Sequence, residues 1–165
     1  MMITLTGFMG SGKTTVGKVL ADFLGCPFMD LDDLVVKKAG KSIPDIFAQD
    51  GEPAFRELEA QVLRKTVEKY AESTAVLALG GGAVLAPASA ALLHEKTVCI
   101  YLRATLETLL ARLAGETAGR PLADDALAER LASREPIYEK TAHVIIDTDG
   151  LSPDEVADEI IISAL

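Results

Sequence analysis

Residues 7 to 14 read Gly7-Phe8-Met9-Gly10-Ser11-Gly12-Lys13-Thr14, a complete GxxxxGK[ST] pattern set between the strand-like run Ile3-Thr4-Leu5-Thr6 and a segment of helical period. That context makes it a P-loop, a turn whose backbone N–H groups close around phosphate oxygens at the positive end of a helix dipole. The pattern assigns Gly10, Ser11 and Gly12 to the backbone cradle of a nucleoside triphosphate. Lys13 is expected to reach the β/γ oxygens and Thr14 to ligate Mg²⁺.

Working outward, apolar runs at 2–6, 26–29, 75–79, 97–102 and 143–147 alternate with longer stretches of helical period. Such alternation predicts an α/β protein with five parallel strands and crossover helices. The near-continuous apolar runs Ala75-Val76-Leu77-Ala78-Leu79 and Thr97-Val98-Cys99-Ile100-Tyr101-Leu102 predict strands covered on both faces. Near the C-terminus, Ser152-Pro153-Asp154-Glu155 offers an N-cap and a proline at the first helical position, which predicts a closing helix. Between 31 and 70 no strand signal occurs. Helical pieces broken at Gly40, Pro44 and Gly51-Glu52-Pro53 predict a helical insertion that holds a second substrate. Residues 114–123, rich in small residues around Gly115 and Gly119, predict a lid carrying the cation Arg120.

At 165 residues and 49% hydrophobic content the chain fits one compact domain, 1–165. A net charge of −9 opposes broad attraction to nucleic acid or acidic lipid, so an anionic ligand has to meet locally clustered arginines. Cys26 and Cys99 lie in apolar stretches without Cys or His at metal-ligand spacing, and both are expected to be buried free thiols. No leader-like start is found, and no apolar run approaches the ~20 residues of a membrane span, which predicts a cytoplasmic protein.

The ordered set of motifs resembles the shikimate kinases, small P-loop kinases of aromatic amino-acid biosynthesis. The resemblance runs nearly end to end. It rests on Gly7 to Gly17, Asp30-Leu31-Asp32, Ile46-Phe47 with Gly51-Glu52, Phe55-Arg56 with Glu59, Gly80-Gly81-Gly82-Ala83-Val84, Arg120-Pro121-Leu122 and Arg134-Glu135-Pro136-Ile137-Tyr138. It implies a three-layer α/β/α fold with strand order 2-3-1-4-5. It further implies transfer of the ATP γ-phosphoryl group to the 3-hydroxyl of shikimate, with Mg²⁺ required and a monomer expected.

The residues meet that chemistry. Shikimate carries a carboxylate and three hydroxyls, so its site needs bidentate cations and a hydrogen-bond-accepting carboxylate. Arg56, Arg134 and Asp32 supply them. Arg56 is expected on a helix starting near Pro53, with Phe55, Leu58 and Val62 as the buried face and Glu59 orienting the guanidinium. Gly80, Gly81 and Gly82 follow the third strand, where a side chain would block a close ligand. Asp30 and Asp32, on either side of Leu31, are expected to project from one strand to the same side.

By the resemblance Asp30 joins Thr14 at the metal, Asp32 contacts the accepting hydroxyl, and Gly81 offers a backbone N–H to shikimate. Lys13, Asp32 and Arg120 form the catalytic set. Thr15 joins the ATP contacts, and Arg112 and the loop 147–153, with Pro153, form the adenine site. Three positions depart from the family pattern: Ala78 where Ser or Thr is usual, Leu151 where a polar or basic residue is common, and Ala123 in place of a second leucine. A gluconate-type kinase shares the P-loop, lid arginine and hydroxyl-facing acid, and differs only in the acceptor pocket. A nucleotide-dependent switch reading guanine through NKxD is excluded, because the chain contains no asparagine.

Overall fold

The computed structural model describes residues 1–116 and 124–165. Five parallel strands form one sheet: β1 (Met2–Thr6), β2 (Phe28–Asp30), β3 (Ala75–Ala78), β4 (Val98–Arg103) and β5 (Val144–Asp147), in the order β2-β3-β1-β4-β5. This is the order that the resemblance implies. β2 begins two residues later than the apolar run at 26–29 and extends to Asp30, paired with Ala78 of β3.

Alternation along the strands sorts side chains to two faces. Ile3, Leu5, Val76, Ile100 and Leu102 point to one core, which α1 (Lys13–Leu24) and α8 (Pro153–Ala164) cover with Val16, Leu20, Val156 and Ile160. Met2, Leu77, Cys99 and Tyr101 point to the other core. There they meet residues of α2 (Leu31–Ala39), α3 (Ile43–Asp50), α4 (Glu52–Lys69), α5 (Pro87–Lys96), α6 (Leu106–Glu116) and α7 (Asp124–Thr141). A short 3₁₀ turn, Ala83–Leu85, separates β3 from α5.

Residues 31–70 hold three helices and no strand, as the sequence predicts. Gly40 and Gly51 end α2 and α3 with positive φ. Pro44 breaks nothing: it lies in the first turn of α3, whose N-cap Ser42 accepts from the N–H of Asp45. A proline there sacrifices no ladder bond, because the first N–H groups of a helix have no partner within it. At the other end of the chain, Ser152 caps α8 by accepting from the N–H of Glu155.

The lid expectation meets α6 at its start, since Ala114 and Gly115 belong to that helix. The rest of that segment, 117–123 with Arg120 and Ala123, lies outside the described residues. Cys99 is buried as expected, and burial pushes its thiol up to about 11. Cys26 is only half-buried, because β2 starts after it and leaves it in the connection from α1. Among the described residues no helix is long and apolar enough to cross a membrane.

Candidate active site

All five strands run the same way, so their carboxyl ends share one edge of the sheet, where open α/β sheets bind ligands. The P-loop leaves β1 there, Asp30 ends β2, and the glycine triplet follows β3. Gly7 begins the loop with φ +148°, and an added Cβ would lie 2.7 Å from the carbonyl oxygen of Leu102. A side chain at that position would collide with backbone that cannot yield. Gly12, at φ 95°, caps α1, which starts at Lys13.

Lys13 Nζ donates to the carbonyls of Gly7 (2.7 Å) and Phe8 (2.9 Å), holding the ammonium over the loop. Desolvation lowers its pKa to about 8, against the raising effect of the Asp32 and Asp30 charges. Lys13 thus lies within electrostatic reach of both acids. The Ser11 hydroxyl is buried without a hydrogen-bond partner among the described residues.

Asp30 and Asp32 are not two positions of one strand. β2 stops at Asp30, which becomes the N-cap of α2, and Asp32 lies in the first helical turn. One Asp30 oxygen accepts from the N–H of Asp32 at 2.9 Å, and the other accepts from the Thr14 hydroxyl at 2.9 Å. An aspartate can satisfy an orphan helix N–H more readily than it continues a strand, and this favours the cap. The pairing brings a hydroxyl and a carboxylate oxygen side by side, a hard-oxygen donor set suited to Mg²⁺ completed by substrate phosphates. Ala78 pairs in register with Asp30 and with Leu5, so the departure from Ser or Thr falls directly beside this carboxylate.

The glycine triplet is where the acceptor side converges. A Cβ on Gly80 would lie 2.9 Å from Asp32 Oδ1 and 3.2 Å from Glu59 Oε2. On Gly82 it would lie 2.5 Å from both terminal nitrogens of Arg56, and on Gly81 it would touch Arg134 Nη1 at 3.4 Å. Asp32, Arg56, Glu59 and Arg134, from three helices, therefore crowd one three-residue turn. No backbone N–H of the triplet donates a hydrogen bond among the described residues.

Arg56 lies in the first turns of α4, and its Nη1 donates to Glu59 Oε1 at 2.9 Å. The buried face of α4 is Phe55, Glu59, Leu63, Thr66 and Val67, so Leu58 and Val62 are half-buried at its flank. The helix is turned so that Glu59 faces the glycine triplet, where it keeps its i,i+3 pair with Arg56 on the same helix. Burial raises the Glu59 pKa, and the Arg56 hydrogen bond and charge oppose that rise. Asp32 is also raised, first by desolvation and then by the Asp30 charge, while Lys13 and Arg56 pull it back.

Arg134 projects from α7 with its guanidinium 5.9 Å from the centre of the buried Phe8 ring, within cation–π range. One helical turn on, the Tyr138 hydroxyl donates to the carbonyl of Gly81. Tyr138 is fully buried against Tyr101, ring centres 5.0 Å apart. Burial raises its pKa and the neighbouring Arg134 charge lowers it. Tyr138 belongs to the motif Arg134-Glu135-Pro136-Ile137-Tyr138, but no role for it is expected from the sequence. Its spacing of four from Arg134, which puts both on one helical face, is the signal that could have found it.

On the other side of the P-loop a cleft of about 260 Å³ is lined by Gly10, Ser11, Gly12 and Thr15 together with Arg112, Leu151 and Pro153. Arg112 donates through Nη2 to the carbonyl of Thr148 at 3.1 Å and through Nη1 to its hydroxyl at 3.2 Å. The loop is tied down by a bidentate pair, Arg103 Nε to Asp147 Oδ1 at 2.6 Å and Nη2 to Oδ2 at 2.9 Å. Asp149 adds bonds from the N–H and hydroxyl of Thr105. These anchors at 103, 105 and 149 have no expectation in the sequence. A larger cavity, about 610 Å³ between α5 and α7, touches none of the P-loop residues, so volume alone does not pick out the chemistry.

Of the site residues expected from sequence, Gly10, Ser11, Gly12, Thr15, Arg112 and Pro153 line one cleft. Asp32, Arg56, Arg134 and Gly80 to Gly82 form a second cluster, and Lys13, Thr14 and Asp30 lie between the two. Arg120 falls outside the described residues.

The chain matches the family model described as shikimate kinase over residues 9–164. It is 44% identical to a shikimate kinase of Enterococcus faecalis, covering 96% of this chain and 95% of that one. A Geobacter sulfurreducens shikimate kinase is 46% identical, over 96% of this chain and 87% of the other. Among solved structures, the shikimate kinase of Acinetobacter baumannii in complex with shikimate superposes with a TM-score of 0.87 at 35% identity, over 97% of this chain and 90% of that one. With a family match from the P-loop to the last helix and relatives of this identity over nearly their whole length, the chain belongs to the shikimate kinase family of ATP-dependent enzymes.

Proposed function

We propose that the protein transfers the γ-phosphoryl group of ATP to the 3-hydroxyl of shikimate, giving shikimate 3-phosphate and ADP. The observation that carries this reading is the convergence of Asp32, Arg56 and Arg134 on the glycine triplet, beside the P-loop lysine. Two planar guanidinium groups suit the substrate carboxylate bidentately, and an acceptor-only carboxylate suits its hydroxyls. Glu59 holds Arg56 in place, and the N–H groups of Gly80, Gly81 and Gly82, which donate no hydrogen bond among the described residues, offer further donors to the substrate.

In the proposed step the 3-oxygen bonds to the γ-phosphorus as the bond to the β-bridging oxygen breaks, and the hydroxyl proton leaves. Asp32 aligns that oxygen and receives the proton late, since the transition state is loose and its need is positioning. The raised Asp32 pKa makes it a better acceptor than an ordinary surface carboxylate. Lys13 and Arg120 balance charge on the transferring group, and backbone N–H groups of Gly10, Ser11 and Gly12, with Thr15, hold the other phosphates. Arg112 and Pro153 clasp the adenine. Thr14 and Asp30 would hold Mg²⁺, which would offset the charge of the phosphates.

The same reading assigns 1–165 to one P-loop kinase domain, with 31–70 as the shikimate-binding insertion, 114–123 as a lid that excludes water, and 147–153 as the adenine loop. It places a monomer in the cytoplasm, without nucleic-acid or membrane partners, in keeping with the acidic charge. ADP release with ATP and Mg²⁺ should require shikimate, and mass spectrometry should find its phosphate monoester. Turnover with gluconate in place of shikimate, or equal ADP release without any acceptor, would overturn the assignment.

A further inference from the structure

A groove of about 390 Å³ runs between α2 and α4, away from the P-loop. Its floor is apolar, made by Leu34, Leu58 and Val62, all half-buried. Its rims are basic: Lys37 and Lys38 stand exposed on α2, Lys65 and Lys69 on α4. Four of the chain's sixteen lysines and arginines thus surround one groove on a protein of net charge −9.

Among the described residues no ion pair or hydrogen bond engages the ammonium groups of Lys37, Lys38 or Lys65, and Lys69 rests over the Tyr70 ring at 5.2 Å. Like charges gathered around a low-dielectric floor concentrate positive potential, and an anion entering from solvent relieves their repulsion. The volume matches a small molecule, for which pockets run from about 300 Å³ upward.

We propose that this groove binds a small organic anion, a carboxylate or sulfonate on an aromatic or branched apolar body. Leu34, Leu58 and Val62 take the body, and the lysine ammonium groups take the acid. The two helices that would clasp it also carry the acceptor machinery, Asp32 in the first turn of α2 and Arg56 with Glu59 on another face of α4. Occupancy therefore biases the spacing of Asp32 and Arg56, and changes the KM for the acceptor while leaving that for ATP alone.

The test is titration of the ¹⁵N-labelled full chain with 8-anilinonaphthalene-1-sulfonate, followed by amide shifts. Saturable shifts should gather at residues 34–38 and 58–69, persist with ATP and shikimate present, and weaken with added salt. The double variant Lys37→Glu/Lys65→Glu should bind the probe about tenfold more weakly, with a native amide spectrum of its own. Lys37→Gln/Lys65→Gln should fall between. Shifts gathered around the P-loop, displacement by either substrate, or equal affinity in the charge-reversed variant would overturn the site. Saturation of the groove without a change in acceptor KM would overturn the coupling.

Discussion

The proposed nucleotide side and the proposed acceptor side of this site are built by opposite means. The P-loop is eight consecutive residues whose work is done mainly by backbone, fixed by glycine dihedrals and the start of α1. The acceptor side draws Asp32, Arg56, Glu59, Arg134 and Tyr138 from three helices, and they meet only around the turn after β3. A contiguous device tolerates changes elsewhere in the fold, because its geometry is local. An assembled one depends on every helix that carries a part, so substitutions there should affect one substrate and spare the other.

The largest effect is expected from Lys13→Ala, which removes the ammonium proposed to balance β/γ charge. Single-turnover rates should fall by about 10²–10³ while circular dichroism stays native. A near-normal rate would break the comparison at its nucleotide end. Gly82→Ala should come next, since the new Cβ would fall 2.5 Å from the Arg56 guanidinium and drive it aside. Displacement of that order costs roughly 10²-fold in kcat/KM for shikimate. Its KM for ATP should hold, and an equal loss for both substrates would show that the two sides are not separable.

Arg56→Lys keeps the charge and discards the planar fork. The KM for shikimate should rise about tenfold, measured at saturating ATP, as expected for one lost charge-assisted bond. An unchanged value would remove Arg56 from the acceptor pocket. The smallest effect belongs to Tyr138→Phe, which keeps the ring against Tyr101 and loses only the bond to Gly81. About 1 kcal/mol, or roughly fivefold in shikimate KM, should follow with kcat and ATP affinity unmoved. Thr141→Val serves as the control, since its hydroxyl bonds within the same helix, to the Ile137 carbonyl. If both variants shift KM alike, Tyr138 acts through the stability of α7 and not through Gly81.

The difference between the two sides also explains how much of the molecule is legible in its sequence. Strand runs, the capped last helix and the helical insertion follow from periodicity and turn residues, which are local properties. A strand end and an N-cap both accept a short acidic run, so the sequence does not tell Asp30 and Asp32 on one strand from an aspartate cap followed by a helix. Only the end of pairing with Ala78 separates them. Hydrophobicity ranks a glutamate as outward, so the sequence points the buried face of α4 toward Leu58 and Val62. The buried Glu59 is paired with Arg56 on its own helix, and which face of α4 turns inward is decided by how the helix seats on the sheet.

By itself the sequence determined the phosphate-gripping loop, the parallel sheet and the inventory of arginines and acids. Each of these follows from neighbours in the chain, through glycine conformations, hydrophobic period and side-chain chemistry. Tertiary structure alone decided that Gly80 to Gly82 lie against Asp32, Glu59, Arg56 and Arg134, and that Tyr138 secures Gly81. It also decided that Arg112, Leu151 and Pro153 close one cleft with the P-loop. Those contacts join residues dozens of positions apart, and their distances are set by how helices seat on the sheet, a property of the packed whole that no local pattern encodes.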